Sequence, residues 1–182
     1  MNFAKIIALF GAVSALALSL VSCATTPTTT DASATLTPTQ AGATKLSVTY
    51  VNWKNFSDIM DRFDWTEEGE IAILKELEAS LQQDAKVYVP NGDHLAMTIT
   101  DIHLAGRYEP SISRRRIING TNPPRFEFTY SLTNGAGQVI KSGKENLVDA
   151  DFQSHIPMTP GDPLHYEKDM LNTWMQQKMA GL

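Results

Sequence analysis

The chain has 182 residues, and its 15 Lys and Arg against 20 Asp and Glu give a formal net charge of −5 at pH 7. Because nucleic-acid-binding domains carry clustered positive charge, this balance argues against nucleic acid as a partner. The single cysteine excludes an intramolecular disulfide, so the fold depends on packing alone.

The first 22 residues have the layout of a secretory signal. Lys5 precedes an apolar run of about 16 residues, which is shorter than the roughly 20 that a membrane-spanning helix needs. The Leu-Val-Ser-Cys sequence at positions 20–23 resembles a lipobox, which implies cleavage before Cys23 and acylation of that cysteine. Ala24 follows it, where aspartate would signal retention in the inner membrane. We therefore expect a lipid anchor in the outer membrane, with the protein facing the periplasm.

A Thr-, Ala- and Pro-rich segment follows the cysteine. Residues 24–44 contain one acidic residue and no aromatic residue, so they bury too little apolar area to offset the entropy of ordering. The sequence thus predicts a cleaved signal peptide at 1–22, a lipidated cysteine with a flexible tether at 23–44, and one globular domain at 45–182. Signal cleavage leaves 160 of the 182 residues and removes Lys5 as its only charge, which makes the net charge −6.

The first half of the domain predicts a strand and a long helix. Alternation of apolar residues over 46–51 is typical of a strand with one buried face. Asp64 and Glu67 have the spacing of an N-cap and its capping-box partner, so a helix is expected at about 65–86. Its apolar positions recur every three or four residues and form a stripe that faces the core: Ile71, Leu74, Leu77, Leu81 and Ala85.

The second half predicts three strands and a final helix. The turn at 90–93 leads into a strand at about 94–105. Alternating residues predict further strands at 125–132 and 138–147, joined as a hairpin by the Asn-Gly-Ala-Gly turn at 134–137. Asp162 as N-cap and Pro163 at the first helical position predict the last helix, which Gly181 is placed to end.

The order of these elements defines the fold class. Strand, helix, three strands and helix predict an α+β fold, with about four antiparallel or mixed strands and two helices packed on one face. The polar positions of the strands then leave the opposite face of the sheet open to solvent or to a partner.

Three segments resemble one family of proteins: DIHLAGRYEP at 101–110, NPPR at 122–125 and DPLHYEK at 162–168. The family consists of uncharacterised proteobacterial lipoproteins and is known as domain of unknown function 3016. The blocks occur in the family's order, and the likeness covers about residues 45–179. It implies no activity and no functional residue.

Arginines concentrate in and beside a stretch of irregular pattern at 107–124, although the protein is acidic. Guanidinium groups pair with phosphate or carboxylate, so one interpretation is a site for an anionic partner such as a lipid headgroup, a wall carboxylate or an envelope protein. The alternative is a solvated loop or a charge-protected edge strand, which residues 115–118 fit. The candidate binding residues are Arg107, Arg114, Arg115, Arg116 and Arg125.

A second candidate site is catalytic. Asp101 and His103 are two residues apart on a predicted strand and so share a face, where they could form an acid–base pair, with Glu109 nearby in sequence, or two ligands of a metal. No third ligand is evident, and the sequence contains neither a serine-nucleophile nor a phosphate-binding motif. We therefore predict no metal, no cofactor and no catalytic residue, with an envelope hydrolase or metal-dependent enzyme using Asp101 and His103 as the alternative.

The last helix leaves two further interpretations. Tyr166 and Glu167 lie in its first turns, where a structural role is the simplest explanation. Its methionines and Trp174 form either an adaptable binding face or part of the core. A cavity between this helix and the strand at 126–132 would make the protein a carrier of a small anionic or lipid ligand. The principal expectation is a lipid-anchored envelope protein that acts as a non-enzymatic binding or structural module.

Overall fold

The architecture follows from a computed structural model that describes residues 35–36, 44–60, 66–109 and 115–180. These residues belong to one unit, which extends from Ser33 to Leu182. The predicted signal sequence, Cys23, Asp64, Arg114 and Gly181 lie outside the described residues. Within them, no helix combines the length and apolar character needed to cross a bilayer.

Within the described residues, six strands and two α-helices form the fold. The central sheet has the order β1-β2-β5-β6, in which β1 runs parallel to β2 and the other neighbours are antiparallel. A parallel pair requires a crossover connection, which α1 provides. The predicted mixed α+β sheet with two helices is therefore confirmed. The elements are β1 (Leu46–Tyr50), α1 (Glu67–Tyr88), β2 (His94–His103), β3 (Arg107–Glu109), β4 (Arg115–Ile117), β5 (Arg125–Thr133), β6 (Val139–Val148) and α2 (His165–Met179).

The core lies between one face of the sheet and the two helices. Alternate residues of β5, from Phe126 to Leu132, are buried and face the helices. The predicted stripe of α1 is buried except for Ile71, which packs partly buried against the core, and Ile73 joins it. The hydroxyl of Tyr50 donates to the carbonyl oxygen of Leu74 at 2.9 Å, which ties β1 to α1.

Both helices begin later than the sequence predicts. Thr66 is the N-cap of α1, and its hydroxyl oxygen accepts the N–H of Gly69 at 3.2 Å, so the predicted cap at Asp64 is wrong. The α2 helix begins at His165 because Asp162 forms a turn before it, where its carboxylate accepts the N–H of Leu164 at 2.8 Å. The predicted roles of Asp162 and Pro163 as N-cap and first helical residue are therefore also wrong.

The stretch of irregular pattern contains a small second sheet. Strands β3 and β4 pair antiparallel with each other and with no strand of the central sheet. The turn into this ribbon requires Gly106, which has φ +81° and lies so close to β4 that a Cβ would approach the carbonyl oxygen of Ile117 to 2.3 Å. The sequence predicted one strand of this ribbon, the possible edge strand at 115–118, and did not predict its partner β3.

Leu36, which belongs to the predicted tether, contacts the sheet. The backbone N–H and carbonyl of Leu36 pair with the carbonyl and N–H of Tyr50 at 3.2 and 3.1 Å, and the Leu36 side chain packs against the core. The open backbone groups of β1, an edge strand, make this pairing possible. The residues that contact the sheet thus include one upstream of the boundary predicted at 45.

Candidate functional site

Arg116 connects the β3–β4 ribbon to the rest of the domain. Its side chain is 6% exposed, and its guanidinium donates to a carboxylate oxygen of Asp58 at 2.5 Å and to the carbonyl oxygen of Met60 at 3.0 Å. The other terminal nitrogen lies 3.3 to 3.4 Å from the carbonyl oxygens of residues 104–106. These contacts occupy the guanidinium internally and give Arg116 a structural role, although the sequence placed it among the candidate binding residues.

Arg125 belongs to a second, more accessible cluster. Its guanidinium donates to Asp101 at 2.8 Å and to the hydroxyl of Ser57 at 3.2 Å, while its side chain remains 38% exposed. The N–H and hydroxyl of Ser57 also donate to the Asp101 carboxylate, at 2.6 and 2.7 Å. The Nε of Arg125 is buried and has no partner among the described residues. The guanidinium is therefore held internally through one terminal nitrogen, while the side chain as a whole remains partly exposed.

The environment of Asp101 stabilises its ionised form. Partial burial by itself raises the pKa of Asp101, but the hydrogen bonds from Ser57 and Arg125 and the charge of Arg125 together outweigh burial and lower that pKa. The carboxylate consequently accepts three hydrogen bonds as an anion, which is an unfavourable state for a proton-donating group.

His103 lies on the same sheet face as Asp101, as the sequence predicts. Burial lowers the pKa of His103, and the positive charges of Arg116 and Arg125 add to that effect, whereas Asp58 and Asp101 oppose it. The imidazole is therefore neutral at pH 7. Among the described residues, no cluster of three or more His, Cys, Asp or Glu side chains could hold a metal.

A depression lies at one end of the open sheet face. His103, Arg125 and Val148 are direct neighbours across three strands, and the loop that precedes β5 closes one side. The depression has a volume of about 320 Å³ and is lined by His103, Thr121, Asn122, Pro123, Arg125 and Val148. It combines a guanidinium, an imidazole and a hydroxyl, which are groups that donate hydrogen bonds to an anion.

The remaining candidate residues are dispersed. Arg107 is 68% exposed on β3 and donates to Glu109 at 2.8 Å on the same strand. Arg115 pairs with Glu109 through the ribbon backbone, and Arg114 lies outside the described residues. Of the four predicted arginines that the structure describes, only Arg125 joins a depression together with His103.

The space predicted for a carried ligand is filled with side chains. The ring of Trp174 lies edge-on to Phe128 and Tyr130, with centroid distances of 4.8 and 5.3 Å. Met170, Met175 and Met179 are buried, so the methionine set of α2 is part of the core.

The sequence did not reveal a groove between α2 and the edge strand β6. It has a volume of about 420 Å³, and its lining includes Leu147, Met170 and Trp174 together with the acidic residues Glu145, Asp149 and Asp169. Its walls come from segments far apart in the chain, so no local pattern could show it. The sequence indicated only that Met170 and Trp174, which are four positions apart, share one face of the helix.

The fold and its two surface sites define an α+β domain built on a four-stranded mixed sheet with one open face. Residues 44–177 match the family described as "Protein of unknown function (DUF3016)", and the chain belongs to that family. No curated protein and no solved structure matches the chain.

Proposed function

We propose that this protein is a lipid-anchored component of the bacterial cell envelope and acts there as a non-enzymatic binding module. The basic start, the short apolar run and the lipobox-like segment ending at Cys23 support the anchor. Acylation through more than one chain makes membrane attachment stable. The outer membrane is the destination because Ala24, not aspartate, follows the cysteine, and the domain then faces the periplasm.

The ligand of this module is an anionic group of the envelope, a phosphate or a carboxylate. The observation that carries this proposal is the partly exposed Arg125 side chain in the lining of the depression that also contains His103. Arg125 is held in place by Asp101 and Ser57, so binding requires little reorganisation of its side chain. A planar guanidinium binds phosphate and carboxylate well.

The anchor is tested by growing bacteria that express the full chain with an alkyne-tagged fatty acid. The unaltered chain should incorporate the tag and sediment with outer membranes. Cys23→Ala should lose both properties, whereas Ser22→Ala, which keeps a small residue before the cysteine, should retain them. Equal labelling of the chain and the Cys23→Ala variant would reject lipidation at this position.

The anionic ligand is tested by NMR of the arginine Nε–H groups in the full chain, held in uncharged phosphatidylcholine nanodiscs. Inorganic phosphate and acetate are titrated separately, and Arg125→Lys identifies the Arg125 signal. We expect a saturable shift of that signal, and the more effective titrant identifies the preferred anion. The exposed Arg107 serves as the internal control. Equal shifts of both arginines, or no shift of either, would contradict a site at Arg125.

A further inference from the structure

The groove between β6 and α2 is separate from the open sheet face and has an apolar floor. Leu147, Met170 and Trp174 contribute to its lining, and Trp174 is only 4% exposed. The indole Nε1 of Trp174 is buried and has no acceptor among the described residues. The groove thus offers apolar contact along these three side chains.

One wall of the groove is an edge strand. β6 pairs with β5 on one side, and no described strand lies on the other. Two contacts hold α2 beside this edge: Lys178 binds Glu145 at 2.7 Å, and Lys141 donates to the carbonyl oxygen of Lys178 at 2.5 Å. An exposed sheet edge can accept an extended peptide as an additional strand, and a neighbouring groove then takes alternate side chains.

The groove side of β6 has an alternating chemical pattern. Glu145 and Leu147 lie opposite the buried Phe128 and Phe126 of β5, so they face the helix side, and Asp149 follows two positions later. The order along this edge is therefore acid, apolar, acid. An added strand would present its own alternate side chains directly across from these three.

The charge of the groove is negative. Among the described residues of its lining, Glu145, Asp149 and Asp169 stand against Lys178 as the only Lys or Arg, which leaves a formal net charge of −2 with His counted as neutral. The imidazole Nδ1 of His155 lies 3.2 Å from a carboxylate oxygen of Asp149. A cationic partner complements this surface.

We propose that this groove binds an extended peptide segment of a partner protein, which pairs with the β6 edge and carries basic, apolar and basic residues at alternate positions. The apolar side chain enters beside Leu147 and Trp174, and the two basic side chains pair with Glu145 and Asp149. The flanking exposed Ile156 and Met158 offer further apolar contact. This inference requires neither the anion site at Arg125 nor the lipid anchor.

Fluorescence polarisation of labelled seven-residue peptides tests the proposal, with the full chain in phosphatidylcholine nanodiscs. The first peptide is Thr-Lys-Thr-Phe-Thr-Lys-Thr, which places both lysines on the face of the phenylalanine. A matched peptide, Thr-Thr-Lys-Phe-Lys-Thr-Thr, has the same composition but directs the lysines to the opposite face. A third version of the first peptide has N-methylated backbone amides and cannot pair with a strand.

We expect the first peptide to bind and both other peptides to bind at least about tenfold more weakly. Glu145→Gln combined with Asp149→Asn should weaken the first peptide by about tenfold, since both charges facing its lysines are lost. Glu68→Gln combined with Asp93→Asn removes the same charge outside the groove lining and should change affinity by less than about twofold because distant charges are screened. Circular dichroism confirms that the variants remain folded.

Three results would overturn the proposal. The first is equal affinity for the two lysine peptides, which would reduce binding to general attraction between opposite charges. The second is an equal loss in the two double variants. The third is no binding of the first peptide at about 1 mM, the weak end of specific affinities.

Discussion

The backbone N–H of Ala105 donates to a carboxylate oxygen of Glu167 at 2.6 Å, although the two residues are 62 positions apart in the chain. Glu167 is 1% exposed, so this hydrogen bond joins the residues after β2 to the first turn of α2 inside the protein. Burial raises the pKa of Glu167, while the N–H of Ala105 and the charge of Arg116 act in the opposite direction without cancelling burial. The ionised carboxylate therefore opposes folding.

Glu167→Gln should increase the free energy of unfolding at pH 7 and remove the part of its pH dependence that comes from this carboxyl. Below the ordinary pKa of 4.5, the carboxyl is protonated in both the folded and the unfolded chain, and no penalty exists. As the pH rises above that value, the unfolded chain ionises first, so the free energy of unfolding falls until the folded carboxyl ionises as well. Urea unfolding of both proteins between pH 4 and pH 8 measures this difference, and equal pH profiles would contradict it.

Glu167→Ala should destabilise the protein under the same conditions. The substitution leaves the buried N–H of Ala105 without an acceptor, which costs about 1–3 kcal/mol. If Glu167→Ala lowers the free energy of unfolding and Glu167→Gln raises it, the hydrogen bond stabilises the fold and the charge destabilises it.

Arg116→Met should lower the free energy of unfolding by about 3–5 kcal/mol, because it leaves the largely buried Asp58 carboxylate unpaired. It also removes the donor that the carbonyl oxygens of residues 104–106 share. Arg107→Met is the matched control, and we expect it to change stability by less than about 0.5 kcal/mol because the side chain is exposed. Chemical denaturation compares the two variants, and similar losses would argue against the internal role of Arg116.

Two glycines with the same backbone conformation should respond differently to alanine. Gly137 has φ +78° and open space where a methyl group would lie, so Gly137→Ala should cost only the conformational strain of about 1–2 kcal/mol. Gly106 has φ +81°, and its Cβ would also overlap the carbonyl oxygen of Ile117. Gly106→Ala should therefore cost at least about 1–3 kcal/mol more, since the backbone of β4 must move. Thermal unfolding of both variants compares the two losses, and equal losses would contradict the extra cost at Gly106.

Asp101 should contribute stability that disappears in acid. Its pKa is lowered in the folded protein, so its contribution is fully present above the ordinary value of 3.8 and is lost as the pH falls through the lower, folded value. Asp101→Asn should therefore be less stable than the unaltered chain at pH 7, and the difference should shrink as the pH falls below 3.8. A stability difference that stays constant across this pH range would show that the substitution acts through packing and not through ionisation.

Periodicity predicted the central architecture because each element carries its own pattern. Phe126, Phe128 and Tyr130 alternate in one strand, and the α1 stripe repeats at helical spacing, so both buried faces could be read locally. The turn at 134–137 likewise predicted the hairpin, which the pairing of β5 with β6 confirms.

The candidate sites were less predictable because they depend on contacts between distant segments. The arginine cluster gave no indication that Arg116 would be enclosed by Asp58 and four backbone carbonyls, while Arg125 would remain partly exposed. Glu167 lay where a helix dipole favours a surface acid, and its burial depends on Ala105. Strands of three residues, such as β3 and β4, are too short for alternation to identify them.

The pairing of Leu36 with Tyr50 places Leu36 at the β1 edge of the sheet. Cys23 precedes Leu36 by 13 positions, a length of chain that spans at most about 45 Å. Leu36 lies at the β1 edge, and three strand spacings, about 14 Å, separate that edge from β6. The proposed peptide-binding edge is therefore at the opposite margin of the sheet from Leu36, so a partner that pairs with β6 would leave the pairing of Leu36 with Tyr50 intact.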